Sequence, residues 1–115
     1  MARFRLANAA RADLAAILDT SRDRWGEAAR NHYSKLMAVT MRTIAAAPEG
    51  PLAHDRNEVL PGARSFHLRH APRGHGVKAP VHVVYHRIDR PGLVVILRVL
   101  HERMKPLLDG RDLQP

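Results

Sequence analysis

The sequence predicts an α+β fold in which an N-terminal strand leads into an αα-hairpin and a three-stranded antiparallel sheet then packs on that hairpin. Three observations carry this. The first half of the chain places apolar residues at three- and four-residue steps, the second half switches to alternation and valine-rich runs, and the two helical stretches meet at a single glycine. A length of 115 residues suits one core, so residues 1–115 are read as a single domain.

Taken in order, Arg3-Phe4-Arg5-Leu6 alternates over the length of one short strand, with Phe4 buried. Asn8 is placed to cap a helix over residues 9–24, Asp13 suits the positive end of its dipole, and Leu14, Ile17, Leu18, Ser21 and Trp25 share a face. Gly26 breaks this helix. A second follows with Ala29, Tyr33, Leu36, Met37, Thr40, Ile44 and Ala47 on one stripe, and Pro48, Gly50 and Pro51 end it. With almost nothing between them the helices run antiparallel, and Trp25 is expected to pack at the bend. Residues 52–62 read as a loop ending in a Pro61-Gly62 turn. Strands are expected over 64–70, 81–88 and 93–100, the last two joined at Asp89-Arg90-Pro91-Gly92. Leu93 to Leu100 is apolar except for Arg98, which predicts a central strand. The first strand adds along an edge, and the sheet face away from the hairpin is expected to stay open. Residues 71–80 form a basic, glycine-containing loop, read as mobile.

Composition narrows the function. Hydrophobic residues at 45% and charged residues at 26%, with a mean hydropathy of -0.32, describe a soluble globular protein. The longest apolar run is too short to cross a bilayer, and no signal-peptide pattern precedes the first strand, so no membrane partner and a cytoplasmic location are expected. The absence of cysteine excludes disulfides, thiol nucleophiles and cysteine–zinc sites. There is no P-loop and no Gly-x-Ser-x-Gly elbow, and no cofactor is expected.

The net charge of +8 is unevenly spread: residues 64–105 hold nine basic and two acidic side chains, and seven of the eight histidines lie from His54 onward. Such a surface suits an acidic partner, either nucleic acid or an acidic protein segment. His67, His70, His82 and His86 invite a metal, but His82 and His86 would lie roughly 13 Å apart along a strand and no acidic ligand sits among them, so none is expected. A second constellation is hydrolytic. His101 ends the central strand, with Arg98, Arg64 and Arg69 nearby as forks for a phosphate.

The residues Ala12-Asp13-Leu14-x-x-Ile17, Trp25-Gly26, Pro61-Gly62-x-Arg64-Ser65-Phe66, Val83-Val84-Tyr85-x-Arg87 and Ile96-Leu97-Arg98-Val99-Leu100-His101-x-x-Met104 resemble the ParE toxins, of the ParE/RelE superfamily. The resemblance covers residues 3–105, and its ending is the most specific part. It implies the toxin of a type II toxin–antitoxin pair, of the kind tied to plasmid stabilization, that inhibits DNA gyrase until a cognate antitoxin neutralises it. RelE-like relatives instead cut mRNA on the ribosome with basic residues and a tyrosine or histidine in the C-terminal tail. Residues 105–115 here contain neither, which favours gyrase and leaves the chain without catalytic residues. In the endoribonuclease alternative Arg69 and Arg98 would clamp phosphate, His101 would move the proton, and RNA would be the partner. Lys105 departs from the family, whose members often carry an acidic residue there. For contact with the target or an acidic antitoxin the candidates are Arg64, Arg69, Arg87, Arg98, His101 and Arg103; Tyr33 and Met37 on the hairpin are either apolar anchors for that partner or core residues.

Overall fold

The hydrophobic periodicities resolve into seven regular elements in the computed structural model, which describes residues 3–106 and 108. β1 spans Arg3–Leu6, α1 Asn8–Trp25, α2 Glu27–Ala46, β2 His54–Asp55, β3 Arg64–His67, β4 His82–Arg90 and β5 Leu93–His101, and a 3-10 turn covers Leu68–His70. The fold class is the expected α+β arrangement. The sheet has five strands in the order β1-β5-β4-β3-β2. It is mixed rather than purely antiparallel: β1 runs parallel to β5, with Arg3 opposite Leu93 and Leu6 opposite Ile96, while the other pairs are antiparallel.

The strand-to-helix joint is tighter than an Asn8 cap would make it. The Ala7 N–H donates to the Ile96 carbonyl at 3.0 Å, prolonging the β1–β5 ladder, and Arg11 N–H then bonds back to the Ala7 carbonyl at 3.0 Å. Ala7 is therefore the cap residue, its backbone extended and its methyl fully buried, and no side chain caps the helix. Asn8 becomes the first helical residue. Gly26 alone joins α1 to α2, at φ +92° and ψ 176°, a region open essentially to glycine. Trp25 does not pack at the bend. It is 69% exposed, with the Arg24 guanidinium 6.0 Å from its ring centre.

The main core lies between hairpin and sheet. Leu36, Met37, Met41 and Ile44 of α2 meet Phe66, Leu68, Val84, Val94, Ile96 and Val99, and Phe4, Leu6, Leu14 and Ile17 close the edges. Met37 is buried here rather than offered to a partner. The sheet face expected to be open is also covered: Ala7, Ala63, Tyr85, Val95, Leu97, Leu100 and Leu108 form a second cluster, roofed by Val59 and Leu60. Its roof is the segment read as a plain loop, which contains β2 and is tied up by its own polar groups. Asn57 N–H donates to Asp55 Oδ1 at 2.7 Å and Gly62 N–H to Asn57 Oδ1 at 2.7 Å. With both faces covered, β5 is buried from Val94 to Leu97 and again at Val99 and Leu100, as its apolar run requires.

Two strand ends differ from the periodic reading. The stretch expected as a strand over 64–70 stops at His67, because the His67 side chain accepts the Arg69 N–H at 3.0 Å and caps the 3-10 turn. β4 continues to Arg90, two residues past its expected end, so Pro91 and Gly92 alone close the hairpin.

Candidate functional site

The sheet gathers the candidate residues at its two ends. Because β3 and β4 are antiparallel, His67 faces Val83 at one end and Arg64 faces His86 at the other. Arg69, His101 and Arg103 belong to the first end; Arg64 and Arg87 to the second. Arg98 belongs to neither, for its guanidinium reaches α1. Its Nε donates to Asp13 Oδ2 at 2.7 Å and its Nη2 to Oδ1 at 2.9 Å, while the Val99 N–H adds a third bond to Asp13 Oδ2 at 2.9 Å.

At the first end a cleft of about 640 Å³ opens between the tip of the hairpin and the segment leading into β4. Ile17, Trp25, Tyr33, Val77, His82 and His101 are among its lining residues. The basic loop forms one wall by docking on α2: Val77 packs against the main core, and a Cβ on Gly76 would come within 3.2 Å of the His32 ring.

Along this rim the imidazoles are held by specific bonds. The Tyr33 hydroxyl bonds to Nδ1 of His82 and also faces the Val81 N–H at 3.5 Å. Burial pushes the Tyr33 phenol up to about 12, so it keeps its proton and donates to the imidazole. Burial first, then the neighbouring His101 and His67, push His82 down to about 4. Its ring meets that of His101 edge-on at 5.7 Å. His67 accepts the Arg69 N–H at Nδ1, so its proton sits on Nε2, which donates to Glu102 Oε1 at 2.7 Å. That bond is the main reason the Glu102 carboxyl is held below its ordinary value. His101 accepts the Arg103 N–H at Nδ1 at 3.1 Å.

The rim thus combines an apolar wall, neutral His82 and oriented N–H groups, with exposed Arg69 and Arg103 beside it. It is suited to holding a segment that is partly apolar and partly acidic. His82 is a weak proton acceptor at neutral pH. Among the described residues no cluster of three or more histidine or carboxylate side chains is arranged to hold a metal ion.

Sequence reasoning missed Asp13 as the partner of Arg98, and it missed Tyr33 and Glu102 as the partners of His82 and His67. A signal for the first exists, since one arginine inside an apolar strand needs a shielded anion and Asp13, unlike Asp19 and Asp23, lies among the apolar positions Leu14 and Ile17 of the facing helix. Tyr33 and His82 stand 49 residues apart with no pattern linking them. The tail read as lacking a base lies mostly outside the described residues.

Fold and site together define a small basic α+β domain with a cleft lined by apolar side chains and histidines at one end of its sheet. Residues 4–106 match the family described as the ParE toxin of the type II toxin-antitoxin system, parDE. The chain is also similar to Toxin ParE1 of Mycobacterium tuberculosis, in strains CDC 1551 / Oshkosh and ATCC 25618 / H37Rv, at 31% identity over 102 residues, covering 89% of this chain and 91% of each relative. This chain belongs to the ParE toxin family. It is the toxin of a type II toxin–antitoxin system, and membership in that family implies a cognate antitoxin as partner.

Proposed function

We propose that the protein arrests growth by binding DNA gyrase, without a catalytic step of its own, and that an acidic antitoxin neutralises it. The observation that carries this reading is the engagement of Arg98. An mRNA endoribonuclease built on Arg69, Arg98 and His101 needs Arg98 as a phosphate clamp, and this guanidinium already gives Nε and Nη2 to Asp13. Five candidates then remain for partner contact: Arg69, His101 and Arg103 beside the cleft, and Arg64 and Arg87 at the opposite end of β3 and β4. The same reading puts the chain in the cytoplasm, where gyrase works. Among the described residues no helix is long and apolar enough to cross a membrane.

The test is a direct comparison. Purified protein is added to a gyrase supercoiling reaction and, separately, to a translation reaction whose mRNA is followed on a gel. Blocked supercoiling with intact mRNA is expected. Cleaved mRNA with normal supercoiling would move the function to the RelE branch. In a second measurement, replacing Arg64 and Arg69 by Glu should slow antitoxin association at low salt and flatten its salt dependence, since rim charges act mainly on the encounter rate.

A further inference from the structure

A second, smaller pocket of about 170 Å³ lies at the opposite end of the sheet from the histidine cleft, lined by Pro48, Glu49, Gly62, Arg64, His86 and Arg87 together with Ile88. Its charges do not cancel. Arg87 on β4 is half-buried, and its guanidinium makes no hydrogen bond or ion pair among the described residues. Its Nε lies beside Gly62, where a Cβ would come within 3.2 Å of it, and Gly62 holds φ +82°, so any other residue there would both strain the backbone and crowd the Arg87 side chain. Arg64 gives one bond to the Ala53 carbonyl at 3.3 Å and meets Glu49 only at 3.7 Å, through a carboxylate that is 64% exposed.

His86 supplies the second observation. It is 1% exposed and lines this pocket. Its Nε2 faces the Pro48 carbonyl at 2.9 Å and so must carry the ring proton, while Nδ1 is buried with no partner among the described residues. A buried polar atom without a partner is costly. Two guanidinium groups, one of them unpaired, and an imidazole able to take a second proton make a receptor for an anion. The pocket is below the usual size for a drug-sized ligand, which excludes a base and sugar but leaves room for a compact group with several oxygens.

The geometry points to a phosphoryl-binding pocket: Arg64 and Arg87 grip the oxygens of a phosphate group from β3 and β4, and His86 closes the floor as its imidazolium. The charged groups lining the pocket with His86 are Arg64, Arg87 and Glu49; burial first, and then Arg64, oppose its protonation in the empty pocket, and a bound anion offsets both. Bound phosphate should therefore raise the pH at which the His86 imidazole takes its second proton. This site is separate from the cleft but shares Arg64 and Arg87 with the residues proposed for partner contact; phosphate binding is measured without gyrase or antitoxin, so either reading can fail alone.

The test titrates inorganic phosphate into the full-length protein and follows the imidazole signals of His86 and His82 by NMR. A saturable shift at His86 that leaves His82 in place is expected at millimolar phosphate. Arg87→Gln should weaken binding about tenfold or more, as expected for losing a charge-assisted bond. Glu49→Gln should tighten it severalfold by removing the competing negative charge, a gain that misfolding does not mimic. Arg42→Gln, exposed on α2 away from the pocket, should leave binding unchanged. Adenosine monophosphate as a second probe separates the sources: competition at His86 assigns the phosphoryl end of a larger molecule, and no competition assigns the free ion. The proposal is overturned if His86 shows no saturable response, if acetate produces the same response as phosphate, or if Glu49→Gln and Arg87→Gln both bind as the unaltered protein does.

Discussion

Asp13 accepts three hydrogen bonds across the gap between α1 and β5, two from the Arg98 guanidinium and one from the Val99 backbone. Both side chains are largely shielded, Asp13 at 14% exposure and Arg98 at 27%. Removing the carboxylate leaves a half-buried cation and a backbone donor unpaired, so Asp13→Ala should cost roughly 2–3 kcal/mol in urea unfolding. Arg98→Met in the same background should add little to the loss, because the two residues form one unit. An unchanged midpoint for Asp13→Ala would mean that water replaces the carboxylate fully. His82 carries a second prediction. Its folded-state value of about 4 lies below the ordinary 6.5, so the unfolded chain binds the extra proton first as the solution is acidified. Its contribution to stability is therefore complete above pH ~6.5 and is lost progressively down to pH ~4. His86, also pushed down chiefly by burial, acts in the same direction. Melting temperature should fall with pH across that window, and His82→Gln, which keeps an acceptor for Tyr33, should flatten the slope.

At the level of elements, the hairpin turns on Gly26. A Cβ there meets no neighbouring atom, so Gly26→Ala tests backbone conformation alone. At φ +92° the expected cost is roughly 1–3 kcal/mol, measurable as a lower urea midpoint with an unchanged slope. The elements most legible in the sequence were those whose signal is local. The stripe from Tyr33 to Ile44 and the apolar run from Leu93 to Leu100 announced α2 and β5, because burial on one side or on both leaves a periodic mark. What stayed hidden depended on partners distant in sequence. His67 ends β3 through a side-chain bond to Arg69 that alternation cannot encode. The Asn8 cap lost to Ala7 because the parallel pairing with Ile96 fixed where the strand ends. Trp25 looked like a core residue by type, yet a one-residue turn left it on the cleft rim. Of the candidate site, the arginines and His101 were legible by type and charge. Their division between two ends of the sheet followed only from the register of β3 on β4.

For the whole molecule, the second cluster means that the sheet is sandwiched, and Leu108 pins chain beyond β5 to its outer face. Leu108→Ala should cost about 2–3 kcal/mol, while the packing of α2 on the sheet, read from methyl NMR signals of Leu36 and Ile44, stays as it is. No loss of stability would mean that Val59 and Leu60 close the outer cluster unaided. The strand order has a further consequence, and it concerns synthesis. β5 comes last in the chain yet sits between β1 and β4, so the first strand made has no neighbour until the final one is complete. Until β5 has emerged, the chain lacks the strand that supplies Val94, Ile96 and Val99 to one cluster and Val95, Leu97 and Leu100 to the other. Both clusters are accordingly completed late in synthesis, once β5 can enter between β1 and β4.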